Sequence, residues 1–339
     1  TAGGYYSIGY IYFVQRPFTY SPPEGFGPLC AANDQQIARP QDYQIAVTYA
    51  GNNGINNIDC GFAPDLVMCK AYSGGSYHWG WYDTVRGAGN TKGIYSSGTE
   101  VEGHLYEWQN LQEFLPTGFK LGATTSANVI NGSGYNMVAY AFKAGGNKGT
   151  WNKDGIAYAS AADAGLDNTS GGSTGTDSKF AILRYTGTGS EITMGHSLGA
   201  TPAFAIHKCL SHTGDWTVWH DGLDSLGKIL NLNGAGAQGN MSSGITSWNS
   251  TQLVMDTDGG VNTSGRDYIL YVWANVPGVQ KLGSYEGNQY ADGPYVELGF
   301  RPAIIIIKNR DASANWMIYD DQRDPYNDCL LYTSDAADE

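Results

Sequence analysis

The chain predicts an all-β fold of tandem β-sandwich repeats, and three observations carry that expectation. Charged residues make up 15% of the 339, while Gly numbers 47 and Tyr 24. Many glycines and aromatics with few Lys and Glu suit strands and turns better than helices. Short apolar runs alternate along the chain with Gly, Asn and Ser clusters, the pattern of strands joined by turns. Finally, one stretch occurs three times: Pro64–Asp83 (PDLVMCKAYSGGSYHWGWYD), Pro202–Asp221 (PAFAIHKCLSHTGDWTVWHD) and Pro302–Asp321 (PAIIIIKNRDASANWMIYDD). Self-similarity at a near-fixed period marks an array. The sandwiches are expected to be lectin-like or jelly-roll-type, with the third repeat truncated.

Residues 1–42 open the chain as a separate piece. Gly4–Val14 (GYYSIGYIYFV) is aromatic and β-branched and reads as one or two strands. Pro22-Pro23 then forbids a helix. No charged-then-apolar leader follows Thr1, so no signal peptide is visible and a fragment entered mid-sequence is expected.

The first repeat spans 43–145 and the second 179–278. Each opens on a Tyr-x-Gly (Tyr49-Ala-Gly51, Tyr185-Thr-Gly187) and closes on Asn-x-x-Gly-x5-Tyr (Asn131 to Tyr140, Asn262 to Tyr271). Between them, 146–178 is a Gly/Ser/Asp-rich insertion or linker. In it Asn168–Gly175 (NTSGGSTG) reads as a flexible loop and Ala157–Ala164 as a short helix or turn. The truncated third repeat covers 279–328. The tail 329–339, CLLYTSDAADE, looks like a translated sequencing adaptor and breaks the repeat pattern. It is set outside fold reasoning and is expected to be poorly ordered.

Within the triplicated stretch, an ungapped alignment places Pro64, Pro202 and Pro302 ahead of an apolar run ending in Lys70, Lys208 or Lys308. Such a run suits a strand buried on both faces or one at a sandwich core. Next come a first ring (His78, Trp216, Trp316), a second ring three residues on (Trp81, Trp219, Tyr319) and an Asp (Asp83, Asp221, Asp321). The Asp is read as accepting N–H bonds in the turn after the strand, in preference to a catalytic or metal role. The Lys is read as laying its stem over a ring.

Net charge is −13, which argues against a nucleic-acid surface, since that needs a basic stripe. No apolar run reaches the roughly 18 residues of a membrane span. The five cysteines have no C-x-x-C spacing and read as free, mostly buried thiols. His207, Cys209, His212 and His220 match no zinc spacing, and Asp256-Thr-Asp258-Gly259 is half a calcium loop without its Glu. Hence no catalytic residue, metal or cofactor is assigned. Asn-x-Ser/Thr sites stand at Asn131, Asn168, Asn240, Asn249 and Asn262. Exposed aromatics are the best ligand candidates, because a ring face complements the C–H face of a sugar. Trp79, Trp81, His212 and Trp219 are named. Trp79 has Thr217 and Met317 at its place in the other copies under the ungapped alignment, so it is expected to be the exposed one.

Two resemblances add to this reading. Gly4–Val14 followed by Gln15-Arg-Pro-Phe18-Thr-Tyr20 and Pro23-Glu-Gly25 resembles the closing strand of a SPRY-type β-sandwich. The chain apart from its tail is similar to a family of repeat-bearing phage tail-fibre or virion surface proteins. The matching residues are Gly61-Phe62-Ala-Pro64 through Lys70 and Gly299-Phe300-Arg-Pro302 through Asp321. That resemblance implies a virion structural protein in the tail, a homo-oligomer (a trimer among the options) with other virion and tail proteins as partners. It would attach to a host-surface glycan, with no nucleic acid bound and no membrane insertion. The alternatives are a glycan-cleaving depolymerase and a bacterial secreted adhesin at the cell surface.

Overall fold

The computed structural model describes residues 39–73, 78–104, 111–123, 130–241, 244–257, 259–290 and 293–323. The chain divides into two compact units, Thr1–Arg39 and Pro40–Glu339. Of the first, only Arg39 is among the described residues. The SPRY-like segment and the 329–339 tail therefore lie outside them.

The fold is all-β. A first lobe contains β1 (Gln44–Ala50), β2 (Asn56–Asp59), β3 (Leu66–Ala71), β4 (Gly80–Asp83), β5 (Ile94–Tyr95), β6 (Leu111–Leu115), β7 (Gly118–Leu121) and β8 (Asn136–Phe142). An inserted segment adds β9 (Trp151–Lys153), β10 (Ile156–Tyr158), one helical turn α1 (Ala161–Ala164) and β11 (Gly171–Gly175). A second lobe holds β12 (Phe180–Thr186), β13 (Ile192–Gly195), β14 (Phe204–Cys209), β15 (Thr217–His220) and β16 (Lys228–Asn231), then β17 (Gly239–Asn240), β18 (Ile245–Trp248), β19 (Gln252–Met255) and β20 (Asp267–Trp273). A lone hairpin, β21 (Ile304–Ile307) and β22 (Met317–Asp320), follows.

The two lobes share one topology. The large sheet of the first runs β1-β8-β3-β4-β5, and the second lobe contributes β12-β20-β14-β15-β16 in the same order. Opposite them lie β2-β7-β6 and β13-β19-β18. Registers coincide: Leu66 sits between Phe142 and Asp83, and Phe204 between Trp273 and His220. A register shift falls at Leu111/Glu113 in one lobe and at Ile245/Ser247 in the other. Asn131 and Asn262, both buried, close the matching turn. Each amide donates to two carbonyls (Gly54 and Gly122; Ser190 and Asp256), and each side-chain oxygen accepts a backbone N–H. Their burial removes these two Asn-x-Ser/Thr sites from any glycosylation reading.

Gly51 and Gly187 occupy equivalent tight spots. A Cβ at either would lie 2.0 Å from the Gly132 oxygen or 2.2 Å from the Thr263 oxygen. Only a residue without Cβ fits such an approach.

Alternation of side chains along a strand makes three cores from these sheets. Val67 and Cys69 point into the first lobe's own sandwich with Phe119 and Leu121. Leu183, Trp219 and Leu270 do the same in the second with Leu253 and Met255. The opposite faces of the two large sheets share a third core, where Leu66, Met68 and Tyr140 meet Ile206, Trp216 and Tyr271. Ile304, Trp316 and Ile318 of the hairpin pack on its edge. Both large sheets are thus buried on both faces, which is why β3 and β14 are largely apolar, broken only by Lys70 and by His207 and Lys208.

The inserted segment differs from its flexible-loop reading. Gly171–Gly175 is a strand, buried throughout, pairing antiparallel with β12 and parallel with β9. The glycines serve close approach: a Cβ on Gly172 would meet Leu166 Cδ1 at 2.8 Å, and one on Gly175 the Ala144 oxygen at 2.9 Å. Asp65, also buried, ties this segment to the first lobe. It accepts from Thr84 Oγ1 (2.8 Å), Ala144 N (2.7 Å) and Gly146 N (3.2 Å), and Ser173 Oγ lies 3.4 Å away. Burial raises its pKa against those hydrogen bonds. The helical turn α1 is capped by Ser160, whose Oγ accepts from Asp163 N, and stopped by Gly165 at φ 67°.

Among the described residues no helix is long and apolar enough to cross a membrane. Cys60, Cys69 and Cys209 are free and buried.

Candidate functional site

The side chains of the triplicated stretch converge where lobe meets lobe. Asp83 ends β4, and the turn behind it brings Arg86 back across the strand. Arg86 Nε contacts Asp83 Oδ2 at 2.5 Å, its backbone N–H donates to Asp83 Oδ1 at 2.9 Å, and Nη2 donates to the Trp81 oxygen at 3.0 Å. From the second lobe, Tyr271 donates its hydroxyl to Asp83 Oδ2 at 2.7 Å. Both charged side chains are wholly buried. Burial lowers the Arg86 pKa, but Asp83, Tyr271 and Glu102 together outweigh it and the net shift is upward, so the guanidinium stays charged.

The hairpin repeats this lock on the first lobe. Arg323 Nε contacts Asp320 Oδ2 at 2.5 Å, its N–H donates to Asp320 Oδ1 at 2.8 Å, and Nη2 donates to the Ile318 oxygen at 2.9 Å. The receiving hydroxyl is Tyr140, at 2.7 Å from Asp320 Oδ2. Burial pushes the Asp320 carboxyl up, and the bonds from Tyr140 and Arg323 more than reverse it, leaving its pKa low. Tyr140 and Tyr271 hold the same place in β8 and β20, since each faces the same position of its lobe's inner strand (Met68 and Ile206).

A second set of contacts uses the Trp and Lys. Trp216 Nε1 donates to the Tyr95 oxygen at 2.8 Å and Lys208 Nζ to the Thr99 oxygen at 3.0 Å, both in the first lobe. One step on, Trp316 Nε1 donates to the Asn231 oxygen at 3.0 Å and Lys308 Nζ to the Ala235 oxygen at 3.2 Å, both in the second. Lys208 is buried and its pKa falls to about 8. It remains charged at neutral pH, held by carbonyl oxygens.

This geometry corrects the alignment of the triplicated stretch. Phe204 faces His220 and Ile304 faces Asp320, whereas Leu66 faces Asp83, so the first hairpin is one residue longer. The counterpart of Trp216 and Trp316 is therefore Trp79, not His78, and that of Trp219 and Tyr319 is Tyr82, not Trp81. Trp79 follows the pattern. It is half-buried, stacked on Tyr140 at 5.2 Å, with Lys70 Nζ 5.9 Å from its ring. The counterpart of Asp83 is His220 in the second lobe and Asp320 in the hairpin. Asp221 itself is exposed and pairs with His220.

Of the ligand candidates, Trp81 and Trp219 are 1% and 0% exposed, so neither ring is available to a sugar. Each packs in a core, Trp81 at 5.1 Å from Trp216. His212 is exposed and bonded to Ser211 Oγ. Pro64 and Pro202 are buried and Pro302 half-buried, each two residues ahead of its strand. Among the described residues no group of three or more His, Cys, Asp or Glu is placed to hold a metal. Sequence reasoning missed Arg86, Arg323, Tyr140 and Tyr271 as a set. The signal was present in Asp-x-x-Arg at 83–86 and 320–323, interrupted as His220 and Leu223 in the second lobe.

No curated protein matches the chain, and no solved structure does. A family model, Domain of unknown function (DUF7483), matches residues 39–339. That span takes in both lobes and the hairpin, and the chain therefore belongs to the DUF7483 family.

Proposed function

We propose that this protein is a non-enzymatic structural component of a phage virion, in or on the tail fibre, that presents its β-lobes to a host-surface glycan. The observation that supports this reading is the use made of the recurring residues. Lys208, Lys308, Trp216, Trp316, Asp83 and Asp320 are engaged between lobes. Polar groups buried in this way hold a block rigid, and rigidity suits an appendage that must resist proteases and shear. Glycan contact falls to exposed side chains outside those junctions: His212, and Tyr285, Tyr290 and Tyr295, which are 49%, 76% and 87% exposed. A tyrosine ring offers an apolar face beside a polar hydroxyl, which suits packing on the C–H face of a sugar.

The test has two arms. Purified chain is immobilised and exposed to a panel of bacterial surface polysaccharides, with binding and reducing-end release both measured. Saturable binding without new reducing ends supports the reading. Release of reducing ends points to the depolymerase alternative and overturns it, as does silence across the panel. Immunogold labelling with an antibody to the chain tests the virion arm. Gold on phage tails supports it, and gold on bacterial cell surfaces alone favours the adhesin.

A further inference from the structure

The lobe-to-lobe contacts made by Trp and Lys occur twice, and a third set of the same donors stands on the first lobe. In both complete cases the receiving chain is an extended segment read by its backbone. Its carbonyl at one position takes the indole N–H (Tyr95, Asn231). The carbonyl four residues on takes the ammonium and also a backbone N–H of the donor loop (Thr99 from Lys208 and Gly214; Ala235 from Lys308 and Ala314). The N–H seven residues on returns a bond to the donor's carbonyl, Glu102 to Leu210 at 3.0 Å and Gln238 to Arg310 at 2.7 Å. The residue before the first carbonyl, Ile94 or Leu230, is buried in the shared core.

On the first lobe the corresponding donors are the Trp79 indole and the Lys70 ammonium, with the Tyr72 carbonyl as acceptor. None of the three groups has a hydrogen-bond partner among the described residues, whereas all six of their counterparts do. Tyr72 is 43% exposed and Trp79 is half-buried. The hairpin sits beside this edge, locked to Tyr140, the residue on which Trp79 stacks. The hairpin's outward face is bare: Ile305 and Tyr319 are 39% and 51% exposed, while their counterparts Val67 and Tyr82 are buried under the three-stranded sheet.

We propose that the Lys70–Tyr72–Trp79 edge is a third copy of the lobe-to-lobe docking surface, and that it binds an extended peptide segment of the Asn231–Gln238 kind. The partner's chemistry follows from the two precedents. It is a strand with a leucine or isoleucine, then carbonyls at the next residue and four beyond it, then an N–H three further on. The indole, the ammonium and the returning N–H all engage the partner's backbone, so the core of this recognition does not depend on the partner's side-chain charge.

The test uses the full chain with 15N-labelled tryptophan indoles and a synthetic peptide of residues Lys228–Gln238 (KILNLNGAGAQ). The Trp79 indole resonance is the one lost in Trp79→Phe. Peptide should move it downfield saturably, as an N–H gaining a carbonyl acceptor does. Lys70→Met should weaken the affinity fivefold or more with the other indole resonances in place. A peptide with serine for Leu230 and Leu232 should leave the resonance where it was. A Trp79 signal that stays put at millimolar peptide overturns the proposal. So does equal affinity in Lys70→Met, or equal binding of the serine peptide.

Discussion

The lock between the lobes and the lock on the hairpin are the same arrangement in two surroundings. Asp, Arg two residues past its neighbour, and a tyrosine hydroxyl from the facing sheet meet at distances that agree within 0.1 Å for Asp–Arg Nε and Asp–Tyr. Between the lobes both charged side chains are sealed, whereas on the hairpin Arg323 keeps 25% of its surface in water. Coulomb attraction and the cost of an unpaired ion both grow as water is excluded. The difference teaches that the same residues carry unequal weight, set by what covers them.

The largest expected effect breaks the sealed lock. Arg86→Ala leaves Asp83 buried and unpaired, and should cost about 3–5 kcal/mol in urea denaturation. Arg323→Ala, with water at hand, should cost about 1–2 kcal/mol. Equal losses would show that burial does not separate the two. Next, Trp216→Ala opens a cavity in the shared core and should cost about 3–5 kcal/mol, while the half-buried Trp316→Ala should cost less than half of that.

His207 gives a pH test of the same contrast. It is buried with neither ring nitrogen hydrogen-bonded, and burial with the neighbouring Lys208 charge lowers its pKa to about 3. The unfolded chain takes up the proton first, near pH 6.5. The penalty is therefore absent above that pH. It grows by about 1.4 kcal/mol per unit as pH falls and levels off near the folded value. At pH 4.5 it amounts to roughly 3 kcal/mol. His207→Ile places there the residue that the hairpin carries at Ile307, and should flatten the acid limb of a Tm-versus-pH curve. An unchanged limb would mean that another group governs it. The smallest effect is expected on the bare face: Tyr319→Ser should shift stability by less than about 0.5 kcal/mol. Its buried counterpart Tyr82→Ser should cost about 3 kcal/mol or more.

Particular residues show how much of this was legible. Leu66–Lys70 and Phe204–Lys208 announced strands buried on both faces or at a sandwich core, because a short, largely apolar run bounded by turn residues fits an interior strand. The class of fold followed from them. The ring pair was legible as a pair, and Trp216 and Trp219 do enter different cores. The register was not. A one-residue difference in hairpin length is invisible in an ungapped alignment, because His78 and Trp79 are both rings, and so Trp79 looked like a departure. The strand at Gly171–Gly175 was hidden for another reason. Close backbone approach and flexibility ask for the same residue, and only the neighbours tell them apart. Tyr140 and Tyr271 stood in plain view as repeat marks, but a partner 180 or more residues away leaves no local trace.

That separation governs how the molecule is made. Tyr271 follows Asp83 by 188 residues and Asp320 follows Tyr140 by 180. At a synthesis rate of about 5–20 residues per second, a ribosome needs roughly 10–40 s to cover either distance. Through that interval Leu66, Met68 and Trp81 form a finished sheet face with nothing to press against. Pairings so distant along the chain are slow to close and exposed to aggregation meanwhile. The first lobe's open face therefore stays uncovered until the second lobe emerges, and the hairpin can seat only after both.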